Sequence, residues 1–74
     1  MNNMINTITL TFTGDFVTFN DKIRPELHMN IEAHRAGHNT CLTYDPKTKL
    51  ATFVVECEDM EDANAVMEIV NKYC

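Results

Sequence analysis

Seventy-four residues leave room for one hydrophobic core, and a domain of this size buries only ~60% of the surface that its unfolded chain exposes, so stability has to be marginal. Eleven acids against six bases give a net charge of −5, which disfavours direct nucleic-acid binding, because that affinity comes from Lys and Arg displacing counterions from phosphates. Cys41, Cys57 and Cys74 are an odd set that argues against a disulfide framework and for a reducing, cytoplasmic setting, and no run approaches the ~18 apolar residues of a membrane span.

The opening MNNMINTITL has neither a basic stretch nor a long apolar core, so export is not expected. From residue 7 the chain alternates strictly, with Ile8, Leu10 and Phe12 on one side and Thr7, Thr9, Thr11 and Thr13 on the other, as in a half-buried strand. Gly14-Asp15 then reads as a two-residue type II′ turn, which would pair Phe12 with Val17 and Leu10 with Phe19 in a 7 to 19 hairpin and leave Phe16 on the outer face. Residues 24 to 36 fit two periods. A helix is favoured by Pro25 at its first position, Gly37 past its end and a stripe of Ile23, Leu27 and Ile31, while Leu27, Met29, Ile31 and Ala33 alternate as in a strand. The helix is preferred because a four-stranded sheet needs a second covering helix.

Asp45-Pro46-Lys47-Thr48 predicts a type I turn and a second hairpin, with Tyr44 opposite Lys49 and Leu42 opposite Ala51. Its inner face carries Phe53, Val55 and Cys57, and its outer face carries Leu50 and Val54, which are more apolar than solvent contact requires. The last segment is an amphipathic helix on Ala63, Val66, Met67, Ile69, Val70 and Tyr73, with Asp59 as N-cap and Asp62 at the position of a capping box. The expectation is a single α+β domain over 1–74, ββαββα, with an antiparallel sheet of four strands and two helices on one face. The alternative is a five-stranded antiparallel meander with a single C-terminal helix.

No nucleophile elbow, phosphate-binding loop, dinucleotide fingerprint or zinc-protease motif is present, so no catalytic residue is expected. His34, His38 and Cys41 lie close in sequence, but Gly37 and the expected chain reversal break the face that would bring the histidines together, so no metal or other cofactor is expected. Glu56, Glu58, Asp59, Glu61 and Asp62 place five carboxylates at a strand-to-helix junction, which serves as helix capping or as a surface that competes for a basic groove in the manner of an acidic nucleic-acid mimic.

These features point to a non-catalytic protein-interaction domain that binds and modulates, most simply inhibits, a partner protein with a basic surface, itself forming a homodimer. A phage-encoded inhibitor of a host or defence complex fits such a chain. The partner-binding set is Phe16, Leu50, Val54, Glu56, Glu58, Asp59, Glu61 and Asp62. The alternative is a small-ligand domain that takes a nucleotide's phosphates on Arg24, His28, His34 and Arg35.

Overall fold

The computed structural model describes residues 7–73. They form an α+β fold: strand β1 (Ile8–Gly14), a π-helical segment (Thr18–Ile23) running directly into helix α1 (Arg24–Met29), α2 (His34–Gly37), β2 (Thr40–Asp45), β3 (Leu50–Cys57) and α3 (Met60–Tyr73). The sheet is antiparallel and three-stranded, in the order β1-β3-β2. This corrects both the four-stranded and the five-stranded expectations.

The missing strand is the segment after Gly14. The Asp15 carboxylate accepts hydrogen bonds from the Thr18 backbone N–H and hydroxyl, both at 3.0 Å, and the Asp15 carbonyl accepts from the Phe19 N–H at 3.1 Å. That is N-cap chemistry, and it starts a helix where a hairpin turn had been expected. Phe19, Ile23 and Leu27 follow at spacings of four, and all three are fully buried. This stripe outweighs the period-two match of residues 16 to 19, because it buries three large side chains on one line. Pro25 lies within the continuous helix. Its ring would crowd the carbonyl four residues back, and the wider π turn before it, with the Arg24 N–H donating to the Phe19 carbonyl, makes the room.

Residues 24 to 36 are helical but not in one piece. Asn30 leaves the helix with an extended ψ of 126°, and its side-chain oxygen accepts from the Glu32 and Ala33 N–H groups at 2.8 and 3.0 Å, capping the next turn. Ile31, expected on the buried stripe, is therefore 95% exposed, and Ala33 and Ala36 take the core positions.

With the first hairpin absent, β1 pairs across the chain with β3, from Ile8 opposite Cys57 to Gly14 opposite Ala51. Strands β2 and β3 do form a hairpin, with Tyr44 opposite Ala51 and Leu42 opposite Phe53, two residues out of the expected register. The cause is Lys49, whose φ of 63° adds a left-handed residue after the turn, with its N–H donating to the Asp45 carbonyl at 2.8 Å. A shift of two keeps each side chain on its face, so Ala51, Phe53, Val55 and Cys57 still point inward and are buried. They share one core with Phe19, Ile23, Leu27, Ala33 and Ala36 and with Ala63, Val66, Ile69 and Val70 of α3. Phe19 stacks on Phe53 with ring centroids 5.1 Å apart. The helices therefore cover one face of the sheet. No described helix is long and apolar enough to cross a membrane.

Candidate interaction surfaces

The uncovered face is built from the outward residues of three strands. In register across it run the rows Thr13, Thr52, Thr43 and Thr11, Val54, Cys41, with Thr9 beside Glu56. Short side chains make this face flat. Val54 is only half exposed because β3 is the central strand and Thr11 and Cys41 shield it from both sides. That explains an apolar residue on an outer face without any covering element.

Leu50 and Phe16 lie at the hairpin end of β3. Phe16, 37% exposed, stands on the first helical turn after Asp15 and packs edge to face on Tyr44 of β2, with centroids 5.9 Å apart. Phe16, Val17, Tyr44, Asp15 and Lys49 line a hollow of about 470 Å³. Tyr44 keeps the core-facing side of β2 that the alternation predicts, opposite Ala51, but stands near the end of an edge strand, and Val17 follows Phe16 on a helical turn where the sequence predicts a strand. Both are more than half or about half exposed.

The acids lie at the other end of β3, Glu56 within the strand and the other four past Cys57. Asp59 is the N-cap of α3: its carboxylate accepts from the Asp62 N–H at 2.9 Å, and its carbonyl accepts from the Ala63 N–H at 3.1 Å. Arg35, carried on α2, reaches this turn, with nitrogens 2.8 Å from Glu58, 3.5 Å from Asp62 and 3.9 Å from Asp59. Asp62 does not close a capping box. Its side chain is buried against Arg35, and its second oxygen has no hydrogen-bond partner among the described residues. Asp62 is thus a structural anchor between α2 and α3 and not part of an outer surface, whereas Glu56, Glu58 and Glu61 remain exposed. Burial, then Asp62, then Asp59 push the thiol of Cys57 above its usual range, so it is held protonated inside the core.

The alternative ligand set does not gather around one anion. Arg35 is engaged by the carboxylates, and Arg24 donates to the Asn20 side chain at 3.4 Å. His28 and His34 do come together, joined by His38, on the helical side of the molecule. Among the described residues, no group of three or more His, Cys, Asp or Glu side chains could hold a metal ion.

A last cluster ties the two helical ends. Glu26 of α1 accepts from the Lys72 ammonium and, at 2.5 Å, from the Tyr73 hydroxyl. Those two hydrogen bonds, Lys72 first, hold the Glu26 carboxyl below its ordinary range, and the same contact raises Lys72 and Tyr73 above theirs.

The fold and its surfaces therefore define a small α+β domain with one covered and one open sheet face. The chain matches no protein-family model, and no curated protein or solved structure is significantly similar to it.

Proposed function

We propose that this chain is a non-catalytic interaction domain that binds a partner protein through its open sheet face and modulates it by occupying the partner's surface. The observation that carries this reading is the uncovered face itself, a field of Thr9, Thr11, Thr13, Cys41, Thr43, Thr52 and Val54 that ends on Leu50 at the hairpin and on Glu56 at the acidic junction. Leu50, outward at the hairpin end of β3, adds a large apolar side chain to this face, and the Phe16–Tyr44 pair continues apolar surface around the sheet edge on the helix-covered side. Glu56, Glu58 and Glu61 supply a field that steers a basic surface toward the sheet. Among the described residues, Arg35 is the one cation paired with this cluster, so the junction keeps an excess of negative charge. Inhibition by occlusion is the simplest consequence of such binding, and a phage-encoded inhibitor of a host or defence complex is one setting in which a chain of this size would do so.

The test is capture of the partner on a tagged chain in extract from the source organism, identified by mass spectrometry, followed by the same capture with Thr11→Arg combined with Val54→Arg. Both positions face outward, so the variant should fold by circular dichroism and lose the captured protein. Equal recovery of the same protein by the folded variant would show that the sheet face is not the contact.

A further inference from the structure

One side of the molecule is uncharged and, among the described residues, uncovered. It begins with β1, an edge strand that pairs only with β3, and the backbone groups on its other edge have no hydrogen-bond partner among the described residues. Such edges are ordinarily guarded by a charge, a proline or a bulge, and β1 has none of the three over its seven residues. Ile8, Leu10 and Phe12 stay only half-buried although they pack against the core, because no described strand lies beside them on that edge. Beneath β1 runs α3, which packs against β1 and β3. Its flanks follow from its contacts and from helical spacing. Ala63, Val66 and Val70 are buried toward the sheet, Asp62 and Lys72 reach Arg35 of α2 and Glu26 of α1, and Glu61 and Glu68 are exposed below. The flank turned away from α1 and α2 therefore carries Met60, Asn64, Met67 and Asn71, on the side where β1 has its open edge. Met60 is 57% exposed, and Met67 is not part of the core.

We propose that this side is a homodimer interface, in which β1 pairs antiparallel with β1 of a second copy about a two-fold axis at Thr11, making one six-stranded sheet with the Met67 flanks of the two α3 helices in contact beneath it. The pairing is self-complementary, as a two-fold contact must be. Centring it on Thr11 sets Leu10 opposite Phe12, Thr9 opposite Thr13 and Ile8 opposite Gly14, so apolar side chains meet on the core side and threonines on the open side. The two layers match in length, with β1 about 24 Å long at ~3.4 Å per residue and α3 about 21 Å long at ~1.5 Å per residue. Met67 stands at the middle of α3. Charge favours a second copy as the occupant. Antiparallel pairing puts the acidic junction, beside Ile8, next to the other copy's hairpin end, beside Gly14, where Lys47 and Lys49 balance Asp15 and Asp45. The two junctions are held at opposite ends of the paired strands, well beyond the ~8 Å over which charges act at physiological salt. A side one strand and one helix deep lies at the lower end of specific interface sizes, so the dimer is expected to dissociate on dilution. The contact goes beyond the open-face reading, because it widens that face from three strands to six without occupying it.

The experiment is sedimentation equilibrium of the full chain from low micromolar to millimolar concentration. A reversible rise from 8.5 kDa toward twice that mass is expected. Met67→Lys should weaken association by more than about tenfold, since like charges then face each other across the axis, and circular dichroism verifies that the variant is folded. Met67 lies in the helical layer, so this loss is read apart from any partner bound on the open face. The register is read with Thr11→Cys in a Cys41→Ser, Cys74→Ser background, with oxidised glutathione as the oxidant. Facing residues of an antiparallel pair lie ~4.5–5.5 Å apart, within reach of a disulfide, so a covalent dimer is expected. Thr43→Cys, on the other edge strand, should give none. A mass of 8.5 kDa at every concentration overturns the proposal. So does a dimer that the folded Met67→Lys variant leaves unchanged, or one that cross-links through Thr43→Cys in preference to Thr11→Cys.

Discussion

Replacing Gly14 by alanine adds one methyl group at the point where β1 passes over the core. A β-carbon there would lie 3.3 Å from both Cε2 and Cζ of Phe19. Phe19 cannot simply withdraw, because it is fully buried and stacked on Phe53 at 5.1 Å. Two effects oppose each other. Alanine restricts the unfolded chain and would stabilise by about 0.4–1 kcal/mol at a backbone conformation it can adopt, which Gly14 offers because its φ is not positive. Crowding in a packed core costs about 1–3 kcal/mol. The net expectation is destabilisation by about 0.5–2 kcal/mol, readable as a lower urea midpoint at unchanged slope. The same substitution in a Phe19→Leu background should lose that penalty and become neutral or stabilising, because the ring edge it meets is gone. A Gly14→Ala cost that is absent in the parent, or equal in both backgrounds, would refute the assignment of Phe19 beneath β1.

Asp15→Ala and Asp59→Ala should each cost about 1 kcal/mol in urea denaturation while the Asn variants cost little, since both residues act as N-caps through a side-chain oxygen. Lys49→Gly should stabilise by about 0.5–1 kcal/mol by relieving a left-handed backbone, and a loss of stability would place the origin of the hairpin register elsewhere. Iodoacetamide on the native chain should modify Cys41 and spare Cys57 until urea unfolds the core, with peptide mapping as the readout. Glu26 is depressed in the folded state, so its contribution is present above its unfolded value and lost as pH falls through the folded one. Lys72 and Tyr73 are raised, so theirs is present below their unfolded values and lost as pH rises through the folded ones. Glu26→Gln should flatten both the acid and the alkaline limb of the stability profile, and unchanged limbs would mean that the cluster is not formed in solution.

The elements that rest on a single unambiguous pattern were legible in the sequence. These are the alternation of Ile8, Leu10 and Phe12, the Asp45-Pro46 turn, and α3 with Asp59 as its cap. The failure at residues 15 to 19 has a local cause. Gly14-Asp15 carries two meanings, a hairpin turn or a strand end followed by an N-cap, and only the continuation through Phe19, Ile23 and Leu27 decides between them. Pro25 hid that continuation, because a proline inside a helix reads as its start unless a π turn accommodates it. The partner-binding set divides for a similar reason. The spacing of Asp62 to Asp59 marks a helix start, but its burial depends on Arg35, which sits twenty-seven positions earlier (62 less 35) and is brought over by the break at Asn30. The histidine cluster required both the break and the persistence of helical twist through Gly37, and neither has a signature strong enough to be read from composition.

The central place of β3 has a consequence for how the chain reaches its structure. Both other strands pair only with β3, and the contact between Ile8 and Cys57 closes everything from β1 to the end of β3 into one loop, leaving only α3 and the turn before it outside. Pairings of such wide sequence separation must meet their loop entropy before they return any contact energy, so they form late and slowly. On a ribosome, β1 is made first and then waits, with its backbone groups solvated, until Leu50 to Cys57 has been synthesised and has left the exit tunnel. The helical turns of residues 16 to 37 can form in that interval, but they have no sheet to cover. A nascent chain halted before Leu50 should therefore be protease-sensitive throughout, and protection should arrive in one step only at the length that also releases Val66, Ile69 and Val70 of α3, which complete the core.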